Sequence, residues 1–216
     1  MTRKTRVAFL IGDYPAEEHK RRADVALSYA TDEIEVGLVQ VSTTAYNRGN
    51  SPAELQLVAP AFIDAFRRAE AEGYDAAVPL GTLDLAVDAA RSCVDIPIIG
   101  PAEAMLHLGC MLGQRFGVLV YSHTSLVLCR RIVKRYEMTD KVVGWKVSGF
   151  HLPDIIANRD QFLKNFVAHA RELVDQHDAE AVGAVLPRLL DQPSGLEGLQ
   201  QAMGGALRHA EPPRDL

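Results

Sequence analysis

The feature that most constrains this chain is the alternation along it of short apolar runs and longer segments of helical period. Residues 6–11, 34–41, 76–80, 96–100, 116–121, 141–147 and 181–186 have the length and apolar content of strands. Between them, residues 16–30, 52–72, 83–93, 101–112, 125–136 and 159–176 place apolar side chains three and four positions apart, the spacing of helices with one buried face. Strands alternating with helices of this length predict an α/β protein of βαβ units, with parallel sheets covered on both faces and right-handed crossovers. A chain of 216 residues suits one large domain or two small lobes.

Composition narrows the function classes. A net charge of -5 provides no electrostatic footprint for nucleic acid, and the basic runs Lys20-Arg21-Arg22 and Arg130-Arg131 are too short to supply one. The apolar run at residues 7–11 is shorter than a signal-peptide core, and no segment approaches the roughly 20 apolar residues of a membrane span. A cytoplasmic location without membrane or nucleic-acid partners is the expectation. Three cysteines, Cys93, Cys110 and Cys129, lack a CxxC or Cys/His metal spacing and leave an odd thiol, so neither structural zinc nor a disulfide framework is expected. Cys93 ends a helical segment; Cys110 and Cys129 lie inside helices, where small thiols usually pack as apolar groups.

In parallel sheets, ligands bind outside the carboxyl ends of the strands. The loops at those ends are Gly12-Asp13-Tyr14-Pro15, Ser42-Thr43-Thr44, Gly81-Thr82, Gly100-Pro101, Ser122-His123-Thr124 and Pro187-Arg188. Residues 42–51, STTAYNRGNS, read as a mobile loop or lid. No GxGxxG follows the first strand and no P-loop is present, so neither a dinucleotide nor another cofactor is expected. Helix starts at Thr82, at Pro101 and after Ser122 offer free amides to a small anion, although plain capping by Thr82 or Thr124 is the commoner role. Ser122-His123-Thr124 holds the one histidine placed near a site, with a side chain that moves protons near neutral pH, against the ordinary fate of surface solvation. His107 reads as a partly buried packing residue. Asp84 and Asp88 read as first-turn acids of a helix, with Asp84 near enough to the Gly81-Thr82 loop to act there.

The stretch GTLDLAVDAARSCVDIPIIGPAEAMLHLGCMLGQRFGVLV, residues 81–120, resembles the central segment of the aspartate/glutamate/hydantoin racemase superfamily, most closely its hydantoin racemases. Asp84, Asp88, Arg91, Asp95, Pro97, Gly100, Glu103, His107, Gly113 and Arg115 fall on matching positions without a gap, and AEAEGYDAAV, VKRYEMTDKVVGWKV and DAEAVGAVL extend the similarity. The resemblance implies two flavodoxin-like lobes with parallel sheets and a pseudo-twofold cleft. The lobes would be residues 1–100 and 101–193, with packing of a helix at 194–210 against the first lobe left open and a frayed tail at 208–216. A homo-oligomer is implied on the same ground.

In this register the two cysteines of the family's racemases fall on Gly81 and Leu186, neither of which carries a proton. The resemblance then implies a small carboxylate or hydantoin-like cyclic amide as substrate, acted on by a cysteine-independent racemase, isomerase, lyase or hydrolase of amino acid metabolism. The alternative is a catalytically inactive protein that retains the ligand pocket. Tyr14, Asp84 and His123 are the candidate catalytic groups, and Asp13, Gly81, Thr82, Ser122, Thr124 and Arg188 the candidate substrate contacts.

Overall fold

The computed structural model describes residues 3–42, 51–150 and 158–184. The chain forms two compact units, Met1–Ala104 and Met105–Leu216. The first contains β1 (Thr5–Ile11), α1 (Ala16–Leu27), β2 (Ile34–Gln40), α2 (Pro52–Ala71), β3 (Ala76–Pro79), α3 (Val87–Arg91) and the start of α4 (Pro101–Leu112). The second continues from α4 into β4 (Phe116–Val120), α5 (His123–Arg135), a 3-10 turn (Thr139–Lys141), β5 (Val142–Val147), α6 (Arg159–His177) and β6 (Ala181–Ala184).

Among the described residues, each unit builds a three-stranded parallel sheet with its first strand in the middle, in the orders β2-β1-β3 and β5-β4-β6. Central position explains composition. Every residue of β4 is buried, as a strand covered on both faces and paired on both edges requires. In the first sheet, Phe9 of β1 stands opposite Leu38 and Val78. Helix α2 closes over that sheet with Val58, Phe62, Ala65, Phe66 and Ala69, spaced so that all five fall on one face. Its start is fixed by a capping box, in which the Ser51 hydroxyl accepts the Glu54 amide and the Glu54 carboxylate accepts the Ser51 amide. In the second unit, Phe162, Phe166 and Leu173 of α6 form the corresponding core against Leu119 of β4.

Three sequence expectations are corrected. Residues 96–100 do not form a strand; a single bridge joins Ile98 to Ala77, with backbone bonds from Ala77 to Pro97 and from Ile99 to Ala77, before Pro101 begins α4. The helix expected at residues 83–93 shrinks to Val87–Arg91, because Asp84 and Ala86 adopt left-handed backbone with φ of 49° and 56°. Helix α5 starts at His123, two residues before the expected Ser125. The polar segment proposed as a lid is undescribed over 43–50, and Leu186, Arg188, the helix expected at 194–210 and the tail at 208–216 also lie outside the described residues.

Gly117 of the central strand packs closely against α6. A Cβ there would stand 2.9 Å from the Leu173 Cβ and 2.8 Å from its Cδ1, a clash that rotation of the Leu173 side chain does not relieve. Gly117→Val is expected to destabilise the protein by about 1 to 3 kcal/mol, measured by urea unfolding; wild-type stability would show that α6 shifts without cost.

Candidate functional site

The carboxyl ends of β1 and β3 carry two loops of different construction. After β1, Gly12 is buried, Asp13 is exposed and the Tyr14 ring curls back over Gly12. Beneath Tyr14, the Arg22 guanidinium lies 4.0 Å from the ring centroid, and its Nη1 donates to the tyrosine hydroxyl at 3.2 Å. Arg22 is 6% exposed and Glu18 9%. A buried cation requires a counter-charge, and the Glu18 carboxylate supplies it by accepting from Arg22 Nε while also accepting from Nε and Nη2 of Arg21, each at 2.9 Å. Burial raises the pKa of the Glu18 carboxyl, but the hydrogen bonds and charges of Arg21 and Arg22 outweigh burial and hold it below the usual glutamate value.

This cluster was not singled out from the sequence, where Lys20-Arg21-Arg22 reads only as a basic run too short to attract nucleic acid. The signal available was the i,i+4 spacing of Glu18 and Arg22 on one face of α1. Of the two adjacent arginines, only Arg22 is turned inward, over the strand-end loop.

After β3, Gly81 and Thr82 are half-buried and lead into the left-handed residues instead of a helix start, which corrects the reading of Thr82 as a helix cap. Asp84 is not a first-turn helical acid. It is 4% exposed, and its carboxylate accepts the Ala102 amide at 2.7 Å and the Glu103 amide at 3.1 Å, capping the longer helix α4. Gly100 admits this contact, since a Cβ there would stand 2.9 Å from the Asp84 Cγ. Leu85, 5% exposed, anchors the same loop in the first core.

In the second unit the loop after β4 is the cap of α5. The Ser122 side chain accepts the Ser125 amide at 3.2 Å, and the two hydroxyls lie 3.0 Å apart. Ser122 therefore fills the capping role that had been weighed for Thr124. His123 and Thr124 occupy the exposed first turn. Just after β5, against the end of β4, lies Ser148, which the sequence reading did not nominate: it is 8% exposed, its amide donates to the Val120 carbonyl at 2.8 Å and its hydroxyl to the Tyr121 carbonyl at 3.3 Å.

Two other side chains depart from expectation. His107 is exposed and meets Tyr136 edge-on, and Cys110 is exposed on α4 whereas Cys129 is buried. Among the described residues, no group of three or more His, Cys, Asp or Glu side chains is arranged to hold a metal ion, and no helix is long and apolar enough to cross a membrane.

Two measurements follow from the buried carboxylates. Asp84→Ala removes a cap and leaves left-handed backbone to alanine, and is expected to cost about 2 kcal/mol in urea unfolding; a change within experimental error would rule out the cap as a stabilising contact. Because the folded-state pKa of Glu18 lies below its unfolded value, its charge adds stability above the ordinary glutamate range and loses it as pH falls through the folded pKa. Glu18→Gln should thus be less stable than wild type at neutral pH, with the gap closing on acidification below about pH 4. A gap independent of pH would contradict the charge assignment.

Comparison with known proteins adds what these loops alone do not specify. A family model described as Asp/Glu/Hydantoin racemase matches residues 26–186. A hydantoin racemase from Pseudomonas sp. (strain NS671) is 26% identical over 123 residues, which make up 57% of this chain and 49% of the relative, so the match spans about half the length of that curated protein. Among solved structures, an allantoin racemase from Klebsiella pneumoniae superposes with a TM-score of 0.78 at 16% identity, covering 95% of this chain and 80% of that one. An allantoin racemase from Pseudomonas fluorescens gives 0.76 at 18% identity, covering 94% and 86%. At these identities the structural likenesses establish the α/β fold with its parallel sheets, and the family match extends over most of the sequence: the chain belongs to the Asp/Glu/hydantoin racemase family.

Proposed function

We propose that this protein is a cofactor-independent, racemase-like enzyme that moves a proton at a carbon next to a carbonyl in a small carboxylate or hydantoin-like cyclic amide, without a cysteine acid or base. The observation that carries this reading is the family match over residues 26–186. The names of the relatives, hydantoin racemase and allantoin racemase, favour a cyclic ureide within that substrate class.

The chemistry needs a base to take the proton from carbon, donors to hold the enolate oxygen that forms, and an acid to return a proton to carbon. In the register of the resemblance, Gly81 and Leu186 stand where the family's racemases carry thiols, so the proton must move through other groups. Tyr14 and His123 are the acid–base groups in this reading. The Tyr14 hydroxyl oxygen accepts from Arg22, leaving its own proton to donate. His123 stands exposed at the start of α5, where an imidazole works as acid or base. Asp84, first nominated as catalytic, is assigned a positioning role, because its carboxylate is committed to the α4 amides and holds the loop bearing Gly81 and Thr82. Asp13, Gly81, Thr82, Ser122 and Thr124 remain the proposed substrate contacts, joined by Arg188 from outside the described residues. The runner-up reading is a protein that binds the same ligands without turning them over.

Proton NMR in heavy water, with 5-substituted hydantoins including allantoin, aspartate, glutamate, maleate and substituted malonates, tests the proposal. Deuterium is expected at the α-carbon of at least one compound, and Tyr14→Phe or His123→Gln should slow exchange by about 100-fold or more while the melting temperature stays within a few degrees. Binding shifts without exchange or product would establish the non-catalytic reading. Full activity in both variants would remove both residues from the mechanism.

A further inference from the structure

We infer that Arg22 is a positioning residue for proton transfer by Tyr14, clasped from below by Glu18; the inference rests on the reading of Tyr14 given above. The argument begins with cost. Arg22 is 6% exposed in α1, where an apolar side chain would pack without a counter-charge, yet the chain places a guanidinium there and a second buried ionic residue, Glu18, to hold it. Such pairs are weak sources of stability compared with apolar packing, so their placement under a strand-end loop calls for another account.

The geometry supplies one. Arg22 meets Tyr14 twice: its Cζ lies 4.0 Å from the Tyr14 ring centroid, and its Nη1 donates to the hydroxyl oxygen at 3.2 Å. The first contact fixes where the ring lies, and the second fixes the hydroxyl and leaves its proton as the donor. Glu18 completes the arrangement, since its hydrogen bond from Nε sets the rotation of the guanidinium about its own stem. Pro15, at the cap of α1 with φ of -51°, and the Pro15 carbonyl, which accepts the His19 amide at 2.8 Å, tie the loop carrying Tyr14 to the first turn of the helix that carries Glu18 and Arg22. Loop and clasp therefore form one local unit, built from residues 14–22. A lysine at position 22 would keep the charge but lose the planar face and the fork that reaches two partners.

The test is a double-mutant cycle on the full-length protein, read in two ways. In the heavy-water exchange assay, with whichever compound of the panel the wild type deuterates, Arg22→Gln is expected to lower kcat about 100-fold with KM changed less than about twofold, as misplacement of a catalytic group does. In the Tyr14→Phe background the same substitution should add less than about threefold. Arg22→Lys should recover only a small part of the loss, and it also serves as the second variant if Arg22→Gln fails to fold. Independent, multiplicative losses, or full rescue by lysine, would overturn the inference, because Arg22 would then act otherwise than through Tyr14. The same cycle read by urea unfolding needs no substrate: Tyr14→Phe and Arg22→Gln should shift the midpoint by less together than the sum of their separate shifts. Coupling in unfolding with a fully active Tyr14→Phe would retain the clasp but sink its catalytic role, whereas absence of exchange in wild type would overturn the proposed function itself.

Discussion

The rest of this structure depends on parallel pairing to both edges of a central strand, β1 in one unit and β4 in the other. A strand in that position has its amides and carbonyls satisfied by its neighbours, so its side chains can be apolar on both faces and helices must cover both faces. Parallel direction also sends every strand's carboxyl end to the same edge of its sheet. The loops after β1 and β3, and those after β4 and β5, gather there as a consequence of chain direction and not of any attraction between their side chains.

What those loops do next is governed by a small number of buried charges. Around Asp84, a carboxylate takes up two free amides of α4 and holds the chain through two left-handed residues, so the segment after β3 becomes a fixed loop instead of the first turns of a helix. Around Arg22, a guanidinium and a carboxylate shape the segment after β1 by holding an aromatic ring over it. Both arrangements place charge where apolar packing would have been simpler, and both adjoin the strand ends where small-molecule chemistry is found in α/β proteins.

Much of the architecture was legible from periodicity, because the short apolar runs at residues 6–11, 34–41, 76–80, 116–121 and 141–147 correspond to strands within one residue at either end. The failures have local causes. Residues 96–100 contain as much apolar character as β3, but Pro97 has no amide to donate and Pro101 starts a helix, leaving room for a single bridge. Residues 83–93 have a helical pattern throughout, yet the tertiary pull of the α4 terminus on Asp84 overrides it at the start. Of the candidate site, Tyr14 and His123 stand out in the sequence because they follow strand ends, where strand order directs the search for chemistry. Glu18, Arg22 and Ser148 do not, since nothing in a helix pattern says which of two adjacent arginines is turned inward, and Ser148 gains interest only when β5 pairs beside β4.

The sequence by itself determined the fold class and the family, because hydrophobic period and an ungapped run of matching residues are properties of the chain that need no coordinates. Only the tertiary structure decided that Asp84 caps α4, that Ser122 rather than Thr124 caps α5, that Arg22 is buried under Tyr14 and that Cys110 is exposed while Cys129 is not. The reason is physical. Burial, capping and charge pairing depend on which groups approach within a few ångströms, and residues as far apart in the chain as Asp84 and Ala102 meet only after the strands have paired and the helices have packed on them.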